Sequence, residues 1–279
     1  MNSFIRFDFD HDINIYPIFD PHFGSVNHCE KEFREYLKII MNDPVGYAVL
    51  GGDLVNNNIG GMIPWEDTIS PHLQIEGIVD LLLPLAKDNR LLCSLRGNHE
   101  FRTMKNSFID SSAIIASKLD ISDRYRPDIA FLSIGIGTRK HGSNQKARAA
   151  TRYVIGVSHG FGGGMKPGAT VNRAVDFWET YEGINVGITG HTHKPVMLPK
   201  RKIVIDRVTG KQVARDDLVC VASSWMDGSE GYPIQKGLPA ASTCIVQRIT
   251  LYEPMVTDGH GMVDAMFRSI RRAAWEPVV

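Results

Sequence analysis

Short apolar runs alternate with amphipathic helical patterns over the first two thirds of the chain. Within residues 30–41, Phe33, Tyr36, Leu37 and Ile40 recur at helical spacing with charged residues between them, which predicts an amphipathic helix. Further helices are predicted over residues 73–86, about 107–119 and from about 170. The apolar runs have the length of buried strands and occupy residues 4–9, 13–19, 46–50, 90–95, 152–158 and 184–189. This strand and helix rhythm predicts an α/β fold.

The final third of the chain has a different pattern. Beyond residue 196 the sequence shows β-rich pieces without a strong helix between them, over residues 202–206, 217–223 and 243–251. We interpret these pieces as a second sheet layer packed on the first sheet. The sequence therefore predicts a single domain over residues 1–279. Residues 1–195 carry the motifs, and residues 196–279 complete the second sheet and end in a tail.

Five of the predicted strands end at residues whose side chains commonly bind metals. Because ligands gather at the carboxyl ends of strands in open α/β sheets, these side chains could converge on one crevice. A single histidine beside an apolar run is more often a hydrogen-bonded core residue, and the adjacent glycines could simply mark tight turns. Five such ends together favour a metal site, and carboxylates, imidazoles and one amide without a thiolate suit Mn, Fe, Zn or Co. The residues are Asp20, His22, Asp53, Asn98, His99, His159, His191 and His193.

In chain order, the five strand ends read Asp-x-His, Gly-Asp, Gly-Asn-His-Glu, a lone histidine and Gly-His-x-His. This ordered set, over residues 13–195, resembles the calcineurin-like metallophosphoesterase superfamily. The resemblance implies a four-layer α/β sandwich of two stacked mixed β-sheets flanked by helices. The overall layout, with glycines after the lone His159, is similar to phosphoesterases encoded in bacteriophage and prophage genomes, whose substrates are poorly defined.

The resemblance also implies a binuclear centre with two divalent metal ions, for which Mn is favoured over Fe, Zn and Co. Asp53 would bridge the two ions at about 3.5–4 Å, where they clamp the attacking and leaving oxygens of a phosphoryl group. A metal-bridging hydroxide would attack phosphorus, His99 would protonate the leaving oxygen as general acid, and Glu100 would orient a neighbouring group. One ion would be held by Asp20, His22, Asp53 and His193, and the other by Asp53, Asn98, His159 and His191.

The substrate prediction rests on a departure from the Ser/Thr phosphoprotein phosphatases. Residues 95–100 are similar to that branch, but the element that carries its phosphate-binding arginine reads Asn56, Asn57 and Asn58 here. The arginine is missing, and Asn56 replaces the aspartate that would orient His99. The sequence therefore favours a phosphate ester other than a phosphoprotein, most of all a phosphodiester, and a nucleotide or a nucleic acid would suit this chemistry.

Four residues are candidates for substrate contacts. Lys166 and Arg173 accompany the glycine-rich segment 160–168, whose backbone amides could cradle an anion, although a flexible surface loop explains it equally well. Arg102 follows the Gly-Asn-His-Glu motif and could contact phosphate, but a solvated position at a helix start is the simpler interpretation. Trp65 lies in an aperiodic segment, where it could stack on a ring within a lid or anchor the loop.

Two other functions stay open. A DNA exonuclease or endonuclease of the same superfamily is favoured by a basic run over residues 139–152, although a solvated charged hairpin is the commoner explanation for such a run. The balance of 31 Lys and Arg against 31 Asp and Glu argues against wrapping nucleic acid by bulk electrostatics. A metal-stabilised binding module without turnover is opposed by His99, because such a scaffold has no need for the acid.

The composition is that of an ordinary globular protein, with 43% hydrophobic and 22% charged residues. The four cysteines lack CxxC spacing and are predicted to be free thiols. No apolar stretch reaches the roughly 18 residues of a membrane span, and no leader-like segment opens the sequence. A cytoplasmic protein without membrane contact is therefore expected, and its oligomeric state is left open.

Overall fold

Two mixed β-sheets are stacked face to face, with helices on both outer sides. The computed structural model describes residues 4–58, 67, 69–139, 148–163, 166–205, 209–227, 243–252 and 263–269. The helices are α1 (Glu30–Asn42), α2 (Pro71–Lys87), α3 (Asn98–Ser107), α4 (Ser111–Lys118) and α5 (Pro167–Glu179). The strands are β1 (Ile5–Phe9), β2 (Ile13–Ile18), β3 (Gly46–Leu50), β4 (Leu91–Leu95), β5 (Tyr125–Arg126), β6 (Ile129–Arg139), β7 (Arg148–Ser158), β8 (Val186–Thr189), β9 (Val196–Ile205), β10 (Gln212–Val221), β11 (Ile245–Leu251) and β12 (Val263–Ser269).

Each sheet has a parallel centre that carries polar strand ends. Sheet one has the strand order β12-β11-β2-β3-β4-β5, and sheet two has the order β1-β6-β7-β8-β10-β9. In sheet one, β2 to β5 run parallel and β11 joins β2 antiparallel. In sheet two, β7, β8 and β10 run parallel, with β6 and β9 antiparallel on either side. The carboxyl ends of β2, β3 and β4 therefore share one edge, as do those of β7 and β8.

Alternation along β2 shows how the layers are filled. Ile13 and Ile15 contribute to the core between the two sheets, whereas Tyr16 and Ile18 join the core under helices α1, α2 and α4. On the outer face of sheet two, Trp178 of α5 forms a third core with strand β10. The four layers are thus helices, sheet one, sheet two and a helix, which confirms the predicted sandwich.

Three features differ from the pattern-based expectation. Instead of completing one sheet, the final third supplies β9 and β10 to sheet two and β11 and β12 to sheet one, because β10 pairs with β8 while β11 pairs with β2. The helix predicted over 107–119 is α4, which begins only at Ser111, because Asp110 caps it by accepting a hydrogen bond from the N–H of Ala113 at 3.2 Å. Helix α3 and strands β5, β6 and β12 are additional to the predicted elements.

The four cysteines are free thiols, as predicted, and Cys93, Cys220 and Cys244 are buried. Burial raises the pKa of Cys93 to about 12, so its thiol stays neutral in the apolar core. Among the helices of the described ranges, none is long and apolar enough to cross a membrane.

Candidate metal centre

The predicted ligands converge where the strand ends of the two sheets meet. Asp20 follows β2, Asp53 follows β3, and Asn98 opens α3 directly after β4. From sheet two, His159 follows β7, and the turn that carries His191 and His193 follows β8. Buried and half-buried side chains from both sheets therefore form one cluster.

Asp20, His22 and His193 form the first group of the cluster, with one ligand atom from each within 4.8 Å of the others. The Nε2 atoms of His22 and His193 lie 3.3 Å apart, and Asp20 Oδ1 is 3.6 Å from the Nε2 of His193. Asp20 is fully buried, and its Oδ1 atom has no hydrogen-bond partner among the described residues. Because a buried carboxylate oxygen without a partner is costly, this atom fits a metal ligand.

Asp53, His159 and His191 form the second group, and Asn98 joins it. Asn98 Oδ1 lies 2.9 Å from His159 Nε2 and 2.8 Å from His191 Nδ1. Asp53 Oδ2 lies 3.4 Å from His159 Nε2 and 3.6 Å from the Nε2 of His22 in the first group. Asp53 therefore stands between the two groups, at the position of a bridging carboxylate.

The outward-facing ring nitrogens of two histidines are held by neighbouring groups. His159 Nδ1 lies 2.9 Å from the carbonyl oxygen of Gly51, and His22 Nδ1 lies 3.3 Å from Asn56 Oδ1. A hydrogen bond on one ring nitrogen leaves the lone pair of the other nitrogen for a metal, which is the usual arrangement of metal-binding histidines. Imidazoles, carboxylates and an amide oxygen at these distances fit divalent Mn, Fe, Zn or Co.

The backbone of the cluster is in an uncommon conformation. Five of the predicted ligands have positive φ angles, a region that residues other than glycine seldom adopt and that costs roughly 1–3 kcal/mol at each position. Main-chain hydrogen bonds keep it in place: the N–H of His22 donates to Asp53 O at 3.0 Å, and the N–H of Trp225 donates to Asp20 O at 3.0 Å. The five φ angles are 50° for Asp20, 46° for His22, 49° for Asp53, 68° for His191 and 56° for His193.

Glu100, on the first turn of α3, holds the loop that carries Asp53. Its fully buried carboxylate accepts hydrogen bonds from the backbone N–H groups of Asp53 at 3.0 Å, Leu54 at 2.7 Å, Val55 at 3.2 Å and Gly97 at 3.0 Å. Burial and the negative charge of Asp53 raise the pKa of Glu100 to about 8, against the effect of His159 and of the backbone N–H groups. Glu100 thus fixes the main chain of the cluster, in keeping with its predicted orienting role.

Charges within the cluster balance one another. Burial raises the pKa of Asp53, but the imidazoles of His159 and His99 lower it well below its usual range. Burial lowers the pKa of His159, and the Asp53 carboxylate outweighs burial and raises it to about 10. For His22 and His191, burial is the largest influence and keeps the pKa below its usual value. Positively charged ions would therefore enter a site whose carboxylates are already ionised.

His99 lies at the open side of the cluster, with 19% of its side chain exposed. Its Nδ1 atom lies 2.5 Å from the main-chain oxygen of Asn56, and its Nε2 atom is 4.0 Å from Asp53 Oδ2. Burial lowers the pKa of His99, the charge of Asp53 opposes this effect, and the charge of Arg102 lowers the pKa further. The aspartate that would orient the ring in protein phosphatases is thus replaced by a backbone carbonyl.

The predicted substrate contacts are in different surroundings. Arg102 is half-buried on α3, and its charge lowers the pKa of His99. Arg173 instead donates to the carbonyl oxygens of Phe161 and Gly163, each at 3.4 Å, which ties it to the glycine-rich segment. Lys166 is exposed at the start of α5, and Trp65 lies outside the described residues.

Two residues near the cluster were not predicted to act there. The side chain of Asn56 lies between His22 and Asp67, with its Nδ2 atom 2.5 Å from Asp67 Oδ1. Asp67 is 11 positions further along the chain, in a segment without periodicity. No local pattern marks it, because its contacts become visible only when the strand ends come together.

A sandwich of two mixed sheets, with aspartates, histidines and an asparagine at the strand ends, defines the class of metallophosphoesterases. The family model of the calcineurin-like phosphoesterases matches residues 18–195, and the chain belongs to this family. Among solved structures, it is similar to Vps29 of Chaetomium thermophilum, with a TM-score of 0.36, 9% sequence identity, and coverage of 92% of this chain and 97% of the other. No curated protein matches the chain significantly.

Proposed function

We propose that the chain is a binuclear metal-dependent phosphoesterase that prefers phosphodiesters and uses His99 as general acid. The observation that carries this proposal is the position of Asp53 between two ligand groups, 3.6 Å from His22 on one side and 3.4 Å from His159 on the other. A carboxylate that serves two cations is the central feature of two-metal sites for phosphoryl transfer.

Each ligand group supplies carboxylate and imidazole atoms, and the second group adds an amide oxygen. Asp20, His22 and His193 would hold one ion together with Asp53, and Asp53 would hold the other with Asn98, His159 and His191. Two divalent ions bound there supply Lewis acidity that polarises the phosphoryl group and activates water as the nucleophile. The chain itself orients these ligands through Glu100 and the positive-φ backbone.

His99 is placed to move a proton. Since its Nδ1 donates to the Asn56 carbonyl, the ring cannot rotate freely, and its Nε2 faces the cluster near Asp53. An imidazolium at this position can donate its Nε2 proton to the leaving oxygen of an ester. Arg102, which acts electrostatically on His99, would bind a phosphate oxygen beside it.

The preference for diesters is supported by Asn57, at the position of the phosphate-binding arginine of protein phosphatases. Its side chain is buried, with 1% exposed, and it donates hydrogen bonds to Thr103 and to Ser111 Oγ. The side chain at position 57 therefore forms hydrogen bonds with helices α3 and α4. A diester carries less negative charge than a monoester and has less need of an additional cation.

Hydrolysis assays on metal-stripped protein reloaded with Mn²⁺ test the proposal. Bis(p-nitrophenyl) phosphate and p-nitrophenyl phosphate are the substrates, and bound metal is measured on the same samples. We expect turnover of the diester with about two ions per chain. Asp53→Asn is expected to lose metal and turnover together. The control Asp216→Asn alters an exposed ion pair with Arg201, and both properties should be retained.

The other outcomes of these assays would contradict the binuclear centre or favour a different function. Unchanged turnover in Asp53→Asn would contradict the binuclear centre, and bound metal without turnover of either ester would favour a binding module. Plasmid DNA is included as a third substrate, because a nuclease would degrade it with a rate that falls steeply with salt. Of the basic run that suggests a nuclease, residues 140–147 lie outside the described residues, while Arg152 donates to Ser133 Oγ at 3.0 Å and pairs with Asp8.

A further inference from the structure

We propose that Asp67 is a positioning residue of the metal centre, which acts through the Asn56 amide to hold His22 in its metal-binding form. This inference rests on the proposed function, since it concerns one ligand of the proposed first ion. Asp67 does not contact the ligand group itself. It contacts Asn56, and Asn56 contacts His22.

The contacts of Asp67 determine which way the Asn56 amide points. Asp67 Oδ1 lies 2.5 Å from Asn56 Nδ2, and Asp67 Oδ2 accepts a hydrogen bond from the N–H of Asn58 at 3.1 Å. Both oxygens of Asp67 thus act as acceptors, so the amide must present its NH2 group to Asp67. The opposite end of the amide, Oδ1, must then face His22 Nδ1, at 3.3 Å.

The amide orientation fixes the proton on His22. An amide oxygen only accepts hydrogen bonds, so the Nδ1 atom that faces it must carry the proton. The Nε2 atom then keeps its lone pair, and it lies 3.3 Å from His193 Nε2 and 3.9 Å from Asp20 Oδ1. If the amide reversed, its NH2 group would favour the other tautomer, whose Nε2 proton blocks a metal bond.

Asp67 is itself held in place beside the first ligand group. Its backbone forms an antiparallel bridge with Ser25, three residues after His22 in the chain. A second contact closes the same loop, because Gln74 accepts a hydrogen bond from Asn57 N–H at 2.8 Å and donates to Ile69 O at 2.9 Å. Gln74→Ala is therefore a matched control, because it removes these two hydrogen bonds and does not alter a contact of the Asn56 side chain.

A double-mutant cycle read out by metal affinity tests the inference. Mn²⁺ alone is titrated by calorimetry into metal-stripped full-length chain, for the wild type, Asp67→Ala, Asn56→Ala and the double variant. Loss of a group that orients a metal ligand typically weakens metal binding about 10–100-fold. We expect a weakening of this size in Asp67→Ala, confined to one of the two binding events. In the Asn56→Ala background, Asp67→Ala should have little further effect.

Three results with the variants would overturn the inference. They are unchanged affinity in Asp67→Ala, equal effects of Asp67→Ala in both backgrounds, and an equal weakening in the control Gln74→Ala, which would make Asp67 a loop anchor only. Thermal unfolding of each variant verifies that it is folded, and Asp67→Asn replaces Asp67→Ala if the latter is not. Wild-type chain that binds two ions but hydrolyses no ester would contradict the proposed function and leave the role of Asp67 intact. Wild-type chain that binds no Mn²⁺ would overturn both.

Discussion

The main-chain oxygen of Asn56 lies 2.5 Å from His99 Nδ1, while the side chain of the same residue faces His22 and Asp67. One residue thus orients the proposed acid through its backbone and a proposed ligand through its amide. The backbone is fixed independently, because Asn56 N–H donates to Phe23 O at 3.1 Å. The orientation of His99 therefore does not depend on which side chain occupies position 56.

Introducing at position 56 the aspartate of the protein phosphatases should destabilise the protein. In Asn56→Asp, a carboxylate replaces the NH2 group that Asp67 accepts from, and the buried acid at position 56 and the half-buried Asp67 repel each other. We expect the free energy of unfolding to fall by about 1–3 kcal/mol, measured by urea denaturation, with no gain in diester turnover. Higher turnover than in wild type would show that His99 is oriented through the side chain after all.

Removing His99 should separate chemistry from metal binding. We expect His99→Ala to retain its bound metal and to lose roughly 100–10,000-fold in rate, most for esters with poor leaving groups, which depend on protonation. Elemental analysis and a series of aryl phosphodiesters provide the two measurements. His72→Ala, at an exposed position of α2, is the control. A parallel loss of metal would identify His99 as a ligand, in line with its place near His22 and Asp53.

Glu100 should be important for stability as well as for the site. In Glu100→Ala, four backbone N–H groups lose their acceptor, and we expect a decrease of about 2–4 kcal/mol in the free energy of unfolding. Metal affinity should fall in the same variant, because the loop with Asp53 loses its support. The control Glu35→Ala, at an exposed position of α1, should change the free energy of unfolding by less than about 0.5 kcal/mol. Equal stabilities of the two variants in urea denaturation would contradict this role.

Gly97 leaves room for the proposed bridging carboxylate. A Cβ atom at this position would overlap the backbone nitrogen and Oδ1 of Asp53, so Gly97→Ala must displace either that carboxylate or α3. We expect lower Mn²⁺ affinity by calorimetry and a destabilisation of about 1–3 kcal/mol. A Cβ at Gly168 in α5 meets no atom of the described residues within 4 Å, and Gly168→Ala should be neutral or stabilise by up to about 1 kcal/mol. Unaltered metal binding in Gly97→Ala would contradict this expectation and show that α3 moves while the Asp53 carboxylate stays in place.

Local patterns were enough to predict most strands and the side chains that cluster at their ends. Asp20 and His159 directly follow apolar runs, Asp53 follows one after two glycines, and such boundaries need no knowledge of distant residues. Helix α3 has no comparable pattern, because its buried residues are the polar Glu100 and Thr103. Strand β6 does carry one, in the alternating buried side chains Ala130, Leu132, Ile134 and Ile136, and it could have been predicted.

Long-range pairing set the limits of prediction. The sequence near β9 to β11 indicates strands but does not specify their partners, and β12 lies in the segment interpreted as a tail. The division of these strands between two sheets was therefore not foreseen. The same holds for Asp67, whose position depends on a bridge to Ser25 and on the fold of β2 and β3. Contacts across large sequence separations depend on the whole topology, whereas helix spacing and strand ends depend on neighbours.

The origin of the ligands in both sheets has a consequence for how the protein folds. The hydrogen bond from His191 N–H to Asp20 Oδ2 joins residues 171 positions apart, and such non-local contacts form slowly. During synthesis, the centre cannot assemble before residue 193 has left the ribosome and the two sheets have stacked. Metal would then bind to a nearly native chain. Its supply would therefore affect the rate of unfolding more than the rate of folding, and bound metal would prolong the life of the folded state.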